Sequence, residues 1–224
     1  EGKIAIVTGG GTGIGRAAAT RLAEEGAKVI IAEFNGETGQ AAADELGKVA
    51  AFIQHDVRDE GSWQSLMDAV AGDHGRPDIL INNAGILATT INQTLRQTEM
   101  DEWRAIQTVN VEGVFLGCKY GVAAMSVDGR EKGGLGGGAI VNMSSMAGLI
   151  GTPIAIAYGA SKGAVRQMTK SVAIDCARKG LGIRCNSVHP GIIRTEMGDA
   201  VMDLGGGDPG LKWAASIKRI PMGE

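Results

Sequence analysis

The motif TGGGTGIG at residues 8–15 carries the strongest indication of the fold. It follows the apolar run IAIV at residues 4–7 and opens a segment of helical length. Glycines here let the backbone turn tightly and let a pyrophosphate approach the free N–H groups and the positive dipole end of the helix. A plain tight turn is also compatible with the motif, but its place between a strand and a helix favours a dinucleotide site. No Gly-Lys-Ser/Thr follows, which excludes the phosphate loop of an NTPase. We therefore expect cofactor contacts at Gly9, Thr12, Gly13, Ile14 and Gly15.

The rest of the chain alternates short apolar runs with longer helical patterns. The runs are apolar throughout, which is typical of strands buried on both faces of a parallel sheet. Repeated strand–helix units predict an α/β fold with a doubly wound parallel sheet (Rossmann fold) in three layers. No linker divides the chain, so we expect a single domain over residues 1–224. The predicted strands are residues 4–7, 29–32, 50–53, 79–81, 139–141 and 183–188, and helical patterns include residues 15–25, 38–46, 62–71 and 211–217.

Composition excludes several other classes of protein. Glycine supplies 36 of the 224 residues, but 5 prolines and no Gly-X-Y period exclude a collagen-like chain. A hydrophobic content of 44% and a net charge of −3 exclude a disordered chain and argue against nucleic acid as a partner. No apolar run reaches the length of a membrane span, and no signal peptide opens the chain. The three cysteines lie at no metal-binding spacing, so we expect reduced thiols, no metal and a cytoplasmic protein.

Two acidic residues at predicted strand ends bear on the choice of cofactor. Glu33 lies about 20 residues beyond the glycines, where a carboxylate accepts hydrogen bonds from a ribose 2′-OH and repels a 2′-phosphate. No cation stands at Thr12 or Phe34, so we predict NAD rather than NADP, although Glu33 can also be a solvated strand-end acid. Asp56, followed by Val57, ends the third strand and can hold the adenine amino group, or it can cap the next helix.

Seven motifs together give the chain a recognisable pattern. In their order and spacing it resembles the short-chain dehydrogenase/reductase family, in its single-domain branch, over residues 2–222. The sequence around the motifs (GILA, GVFLGCKYGVAAM, IRCNSVHPG) is most similar to that of bacterial NAD-dependent hydroxysteroid and cyclic-alcohol dehydrogenases. The motifs are TGGGTGIG at 8–15, HDV at 55–57, NNAG at 82–85, VN at 109–110, IVNMSS at 140–145, YGASK at 158–162 and HPGIIRT at 189–195.

Tyr158 and Lys162 are the central catalytic candidates. They are four residues apart at the start of a helical pattern, so they share one face. The pKa of a tyrosine is ordinarily near ~10. We expect the lysine ammonium to stabilise the phenolate and lower that pKa. Tyr158 could then take a proton from an alcohol while hydride leaves for nicotinamide, or donate the proton in the reverse direction. Alone, the pair would more often be an ordinary helix-surface pair.

Ser145 and Asn110 complete the catalytic set that the resemblance implies. Ser145 lies 13 residues before Tyr158 at the end of the fifth strand, where ligands of open α/β sheets bind. The family's spacing selects Ser145 over Ser144, and its hydroxyl would hold the substrate oxygen. Asn110 matches the family's fourth member, which holds a water that relays the proton with the lysine; it could otherwise be a helix-bending or capping residue.

The resemblance also assigns further cofactor contacts. The end of the fourth strand would line the cofactor, and the loop after the sixth strand would meet the nicotinamide carboxamide, unless it is a plain turn. His55 and His189 have no second metal ligand at a useful spacing and are interpreted as structural or rim residues, while Cys118 and Cys176 are interpreted as core. The predicted contacts are Asn82, Asn83, Ala84, Gly85, Pro190, Gly191, Ile192, Ile193 and Thr195, together with Tyr158 and Lys162.

The substrate pocket can be outlined from loops that border it in the family. The candidate residues are mostly apolar and include no Arg to hold a carboxylate or phosphate. We therefore expect a hydrophobic secondary alcohol or ketone, a hydroxysteroid or cyclic alcohol. Substrate contacts are predicted at Ser145, Met146, Ala147, Tyr158 and Met197, with Leu87, Pro153, Ile154, Met202 and Trp213 as further lining residues.

Two stretches interrupt the strand–helix rhythm. Residues 126–138 contain no apolar period and predict a flexible loop, and residues 198–210 predict a flexible segment within a substrate lid at about residues 196–219. Family members usually continue into another helix and a seventh strand, which the given chain lacks. They also form tetramers, so we expect a homotetramer.

Other functions remain open at this stage. The main alternative is a 3-oxoacyl-[acyl-carrier-protein] reductase, whose acidic partner would want a basic surface near the pocket. A dinucleotide-binding sensor without turnover typically lacks the Tyr or Lys that are present here. An isomerase or dehydratase using transient hydride transfer would show no net consumption of NAD.

Overall fold

One parallel sheet of six strands forms the centre of the computed structural model, which describes residues 1–87, 94–126, 137–203, 206–218 and 220. The strand order is β3-β2-β1-β4-β5-β6, so the chain builds outward from β1 and then reverses to place β4 on the other side of β1. This confirms the predicted doubly wound sheet. The strands are β1 Ile4–Thr8, β2 Lys28–Glu33, β3 Ala50–Gln54, β4 Ile79–Asn82, β5 Gly138–Met143 and β6 Ile183–Val188.

Helices cover both faces of this sheet. Three of them begin at side chains that accept hydrogen bonds from first-turn N–H groups: Asn35 caps α2, Asp59 caps α3 and Asp208 caps α8. The cap of α3 is therefore Asp59, so Asp56 does not cap that helix. The helices are α1 Gly13–Glu24, α2 Gly36–Leu46, α3 Glu60–Asp73, α4 Met100–Gln107, α5 Gly113–Met125, α6 Ile156–Arg178, α7 Glu196–Asp203 and α8 Pro209–Ile217.

Alternate residues of the strands enter two separate cores. Ile6 and Ile30 pack in one core with Trp63 of α3, whereas Val7 and Ile31 pack in the other with small residues of α1 and α2. These four strand side chains are fully buried, and each such burial contributes about 1.5–3 kcal/mol. Burial on both faces explains why β1 and β2 contain no alternating polar residues. The expectation of a run that is apolar throughout is wrong for the edge strand β6, in which Arg184 and Asn186 are exposed and alternate with buried Ile183 and Cys185.

The structure can be compared with the predictions made for the cysteines and for two of the segments. Cys118, Cys176 and Cys185 are all free and buried, as core residues. The segment 198–210, predicted to be flexible, is largely helical where it is described, since α7 extends through residue 203 and α8 begins at residue 209; its flexibility stays a prediction. Most of the predicted flexible loop 126–138 lies outside the described residues. No helix among the described residues has both the length and the apolar character needed to cross a bilayer.

Candidate active site

The glycine-rich turn joins β1 to α1 at the carboxyl edge of the sheet. Gly9 and Gly13 have φ values of +61° and +52°, a region that side chains other than glycine rarely adopt. A Cβ on Gly15 would lie 2.1 Å from the carbonyl oxygen of Gly9, so only glycine lets α1 pack this close to the strand. Thr12, the N-cap residue of α1, makes no side-chain capping hydrogen bond. The first N–H groups of the helix are thus left for an anion, which fits a pyrophosphate.

The end of β4 is tied directly to this turn. Asn83 donates from its side chain to the carbonyl oxygens of Thr8 and Gly9 at 3.1 and 3.0 Å, and the Thr8 hydroxyl accepts from the backbone of Asn83 and Ala84. β1 and β4 are neighbouring strands, and the order in which the chain adds strands reverses between them. Open α/β sheets bind ligands at such a point. Asn82 does not line this crevice: its side chain is buried and donates to Asn142 at 2.8 Å.

The loop after β6 reaches the same place from the other side. A Cβ on Gly13 would meet Thr195 Cγ2 at 3.4 Å, so Thr195 lies over the glycine turn. Pro190 accepts a main-chain hydrogen bond from Met146 at 3.0 Å, and Gly191 lies against the sulfur of that methionine. Ile192 and Ile193 are exposed. The structure thus brings Thr195 together with the glycine turn and the end of β4, and it places Pro190 and Gly191 against Met146.

Glu33 ends β2 with its carboxylate beside the glycine turn. It accepts hydrogen bonds from the backbone N–H groups of Gly11 at 3.1 Å, Phe34 at 2.9 Å and Asn35 at 3.2 Å. These bonds hold the carboxylate at the place where a ribose would meet the turn. The sequence argument found Glu33 from its spacing but not these three bonds.

Asp56 is paired with a cation that sequence reasoning did not identify. The Arg58 guanidinium donates to both Asp56 carboxylate oxygens at 2.6–3.1 Å and lowers the pKa of that carboxyl. The guanidinium also lies 5.3 Å from the centre of the exposed Phe34 ring, where it forms a cation–π contact. Neighbouring Val57 is buried, and it accepts from the Trp63 indole at 2.9 Å. A cation therefore does stand near Phe34, two residues beyond the aspartate rather than at position 34.

Tyr158 and Ser145 meet through their side chains. Tyr158 lies in the first turn of α6, and Ser145 follows β5. Burial raises the pKa of Tyr158, and the neighbouring Ser145 side chain lowers it by less. The expectation that Lys162 lowers this pKa is wrong for this structure, because the ammonium faces the ring, 5.5 Å from its centre, and makes its hydrogen bond elsewhere.

Lys162 is a buried cation. Only 4% of the residue is exposed, and its Nζ donates to the carbonyl oxygen of Met143 at 2.8 Å. Burial lowers the pKa of Lys162 to about 8. The main chain of Lys162 is held as well, since its carbonyl oxygen accepts from the Ser144 hydroxyl at 2.8 Å. A buried ammonium with a lowered pKa is suited to passing a proton at a pH slightly above neutral.

Asn110 lies in a single π-helical turn, Thr108–Glu112, between α4 and α5. Its side chain is fully buried, accepts from the Ile86 N–H at 2.8 Å, and donates to the Ile86 carbonyl at 2.9 Å and to Ser161 Oγ at 3.0 Å. A Cβ on Gly85 would lie 3.2 Å from Asn110 Oδ1 and 3.3 Å from Lys162 Nζ. Asn110 and Lys162 therefore converge on one glycine, and π-turns of this kind are frequent at functional sites.

His55 and His189, the two histidines considered in the sequence analysis, are both held by hydrogen bonds. His55 is buried against Trp63 and bonds to Ser62 through Nδ1, and burial lowers its pKa to about 4. His189 contacts both Ser187 and the main chain of Ser145. No group of three or more His, Cys, Asp or Glu side chains that could hold a metal ion occurs within the described part of the chain.

The predicted substrate residues separate into two groups. Met146, Ile154 and Met197 are exposed by 40% or more, Pro153 is also exposed, and Leu87 and Ala147 are half-buried. Met202 and Trp213, by contrast, are exposed by only 3% and 8%, so their side chains pack inside the α7–α8 unit. Trp213 there stacks with Arg194 and donates to Asp199.

The fold and the site together define a dinucleotide-binding oxidoreductase, with a phosphate turn, a Ser–Tyr pair and a buried lysine at one sheet edge. Comparison with known proteins gives the same class. The family model described as short chain dehydrogenase matches residues 3–203, and the chain belongs to that family. The resemblance predicted from the motifs is thereby confirmed.

Three relatives illustrate the range of similar proteins. An NADP-dependent (R)-specific alcohol dehydrogenase of Lentilactobacillus kefiri is 42% identical over 226 residues, covering 100% of this chain and 84% of that protein. A 3-beta-hydroxysteroid dehydrogenase of Comamonas testosteroni is 38% identical, covering 92% of this chain and 76% of that protein. The crystal structure of a 3-ketoacyl-(acyl-carrier-protein) reductase from Brucella melitensis, complexed with NADH, has 31% identity and a TM-score of 0.86, covering 100% of this chain and 85% of that chain.

Proposed function

We propose that this chain transfers hydride between a pyridine nucleotide and an apolar secondary alcohol or ketone, with Tyr158 as general acid and base. The observation that carries the proposal is the Lys162 ammonium over the Tyr158 ring, 5.5 Å from its centre, with the Ser145 side chain next to the same tyrosine. The relatives support the reaction class, since two of them are named as alcohol and hydroxysteroid dehydrogenases.

In the proposed reaction each residue of the site has a separate task. A nicotinamide bound at this site would supply the acceptor for the hydride that leaves the alcohol carbon. Ser145 holds the substrate oxygen, and Tyr158 takes the hydroxyl proton as the carbon–oxygen double bond forms. Lys162 and a water held by Asn110, two residues that converge on Gly85, would relay that proton toward solvent. In the reverse direction Tyr158 donates the proton to the carbonyl oxygen.

NAD is the nucleotide that we propose as preferred. Glu33 already holds its carboxylate at the glycine turn through three backbone N–H groups, where it would accept from a ribose 2′-OH and repel a 2′-phosphate. The relative from Lentilactobacillus kefiri is NADP-dependent, so this choice has to be measured. The test compares kcat/KM for NAD and NADP with one alcohol, and a higher value with NADP would overturn the preference.

The apolar character of the substrate follows from the residues at the mouth of the site. Met146, Ile154 and Met197 leave large apolar surfaces exposed at or near the loops that carry Ser145 and Thr195. Exposed apolar patches of this kind mark binding surfaces. A panel of steroids, cyclic alcohols, diols and short acids, followed by NADH absorbance, should show preference for the apolar members. A preference for charged members would contradict the assignment.

A 3-oxoacyl-[acyl-carrier-protein] reductase is the second candidate, favoured by the structural similarity to the Brucella melitensis enzyme. The same panel should include an acyl-carrier-protein thioester and the free apolar ketone. Turnover of the thioester at a higher kcat/KM than any alcohol or free ketone would select this candidate.

The decisive variant is Tyr158→Phe. It keeps the ring against Lys162 and removes only the hydroxyl, so we expect kcat/KM to fall by about 10²–10⁴ while cofactor binding is retained. Lys170→Met, an exposed lysine on the same helix, is the matched control and should retain activity. Unchanged turnover by Tyr158→Phe would overturn the proposed role of the tyrosine.

We also propose that α7 and α8 act as a lid over the substrate. A Cβ on Gly198 would meet Trp213 at 3.3 Å, and the Arg194–Trp213 stack joins α8 to the loop that carries Thr195. Movement of this unit on cofactor binding would change the surroundings of the Trp213 indole. Indole fluorescence should therefore change when NADH binds, and Trp213→Phe should remove most of that change relative to Trp103→Phe. An equal change in both variants would contradict a lid.

A further inference from the structure

His189 connects the loop after β6 to the main chain of Ser145. Its Nδ1 lies 3.2 Å from the carbonyl oxygen of Ser145, and its Nε2 lies 2.9 Å from the hydroxyl oxygen of Ser187. Both ring nitrogens thus have partners, and one partner belongs to the residue that the proposed reaction uses to hold the substrate oxygen. Sequence reasoning assigned His189 no part in the chemistry.

The hydrogen-bond partners determine the tautomer of the neutral ring. A carbonyl oxygen can only accept, so Nδ1 must carry the proton and donate it to Ser145. Nε2 is then an acceptor, and the Ser187 hydroxyl donates to it. The imidazole is therefore oriented from both ends, which is how a histidine is held in one tautomer.

The contact lies between two main-chain hydrogen bonds. Ser144 donates to the carbonyl of Val188 at 2.9 Å, and Met146 donates to the carbonyl of Pro190 at 3.0 Å. Ser145 lies between Ser144 and Met146 on one segment. His189 lies between Val188 and Pro190 on the other segment. The imidazole thus adds a side-chain hydrogen bond to Ser145, the residue that lies between these two main-chain hydrogen bonds.

The position of the Ser145 hydroxyl depends on the position of the Ser145 main chain. Its Oγ accepts from the Ala147 N–H at 3.1 Å, and the side chain lies next to Tyr158. The Ser145 carbonyl accepts from the Gly148 N–H at 3.0 Å as well as from the imidazole. A shift of this main chain would therefore move the hydroxyl relative to the tyrosine.

We propose that His189 is a positioning residue that fixes the main chain of Ser145 and so sets the place of its hydroxyl against the substrate oxygen and Tyr158. This inference rests on the proposed function, in which Ser145 holds the substrate oxygen. The residue itself does not touch the reacting atoms and acts only through the serine.

Two substitutions of His189 distinguish the effect of its hydrogen bond to Ser145 from the effect of the imidazole ring itself. His189→Leu removes both hydrogen bonds, and we expect kcat for the best alcohol of the panel to fall by about 10- to 100-fold, as misplaced catalytic groups do. His189→Asn keeps a short side chain with an N–H donor for the Ser145 carbonyl, so it should recover most of the lost kcat. Ser187→Ala leaves the Nδ1 bond in place and should have the smallest effect.

A double-mutant cycle with Ser145→Ala distinguishes positioning from a structural role. If His189 acts through the serine hydroxyl, His189→Leu should cause no further loss of single-turnover rate in the Ser145→Ala background. NADH affinity should stay at the wild-type value throughout. A residue that merely supports the fold would lower the rate by the same factor in both backgrounds.

The outcomes for the two proposals are separate. Absence of any alcohol or ketone turnover by the wild type, or full turnover by Ser145→Ala, sinks the proposed function. The inference on His189 alone fails if the wild type is active and Ser145→Ala impaired, yet His189→Leu turns over like the wild type. It also fails if His189→Asn is as slow as His189→Leu, or if the loss is the same in both serine backgrounds.

Discussion

The ammonium of Lys162 lies 5.5 Å from the centre of the Tyr158 ring and donates its hydrogen bond to the Met143 carbonyl at 2.8 Å. The side-chain hydrogen bond of the lysine therefore goes to the main chain, while its ammonium lies near the aromatic ring. Burial raises the pKa of Tyr158, and the hydrogen bond with Ser145 lowers it by less. At neutral pH the tyrosine is a proton donor in this arrangement, and it becomes a base only as the pH rises.

Opposite pH profiles are expected for the two directions of the reaction. Alcohol oxidation needs the Tyr158 phenolate, so its kcat/KM should rise toward alkaline pH, whereas ketone reduction needs the phenol and should fall over the same range. Ser145→Ala removes a bond that lowers the pKa of Tyr158, so the remaining oxidation activity should rise at a higher pH than in the wild type. An oxidation profile that is flat between about pH 6 and pH 10, with constant NADH affinity, would contradict the role of the tyrosine.

Replacement of Lys162 by methionine should stabilise the fold while abolishing activity. The pKa of the buried lysine is about 8, below its ordinary value of 10.5. Between these two values the unfolded chain holds the proton and the folded chain does not, so wild-type stability rises as the pH increases through that window. At pH 7 the buried charge costs on the order of 2 kcal/mol after allowance for the lost Met143 bond. A neutral side chain avoids that cost.

The measurement is the melting temperature of Lys162→Met against the wild type at several pH values. We expect the variant to melt about 4–8 °C higher at pH 7. The difference should shrink as the pH approaches 10.5, because the wild-type lysine then carries no charge in the folded state. Lys170→Met, at an exposed position on α6, should show no such pH-dependent difference. A difference that stays constant with pH would indicate that packing rather than charge burial is responsible.

Gly15→Ala should disrupt both the fold and cofactor binding. The new methyl group would lie 2.1 Å from the Gly9 carbonyl oxygen and 2.4 Å from the Asn83 amide, neither of which can move without breaking the turn. Such overpacking costs about 1–3 kcal/mol. Gly72→Ala is the matched control, because no atom lies within 4 Å of its Cβ position in α3. That control should gain up to about 1 kcal/mol from helix propensity.

Chemical denaturation and NADH fluorescence titration together test this expectation. The alanine at residue 15 should lower the denaturation midpoint and weaken NADH binding, whereas the control changes neither unfavourably. Wild-type NADH affinity in Gly15→Ala would mean that the turn does not hold the pyrophosphate.

The fold could be predicted from the sequence because the patterns that indicate its strands and its glycine turn each lie within a few consecutive residues. Uniform apolar runs such as residues 29–32 report burial on both faces, and the structure places strands at all six predicted runs. Gly15 was identifiable from its motif, since close approach of a helix to a strand allows only glycine there.

Features of the site that depend on tertiary contacts could not be predicted in this way. The π-turn at Asn110 has no sequence signal, because it is held by bonds to Ile86 and Ser161 that are distant along the chain. The direction of the Tyr158 pKa depends on how deeply the ring is buried and on its contact with the Ser145 side chain. Pairing of Asp56 with Arg58 likewise follows from the loop conformation, since residues two apart do not ordinarily face each other in a helix.

Neutralising Glu33 should relax the choice between NAD and NADP. Glu33→Gln keeps an oxygen that can accept from the Gly11 N–H but removes the charge that would repel a 2′-phosphate. We expect the ratio of kcat/KM for NADP to that for NAD to rise by about tenfold, the size of a modest like-charge repulsion. Glu37→Gln, an exposed acid in the first turn of α2, is the control and should leave the ratio unchanged. Arg58, held near Phe34 by Asp56, remains available as a cation in both variants. If Glu33→Gln leaves the ratio at the wild-type value, the carboxylate does not face the ribose, and nucleotide choice must come from elsewhere in the site.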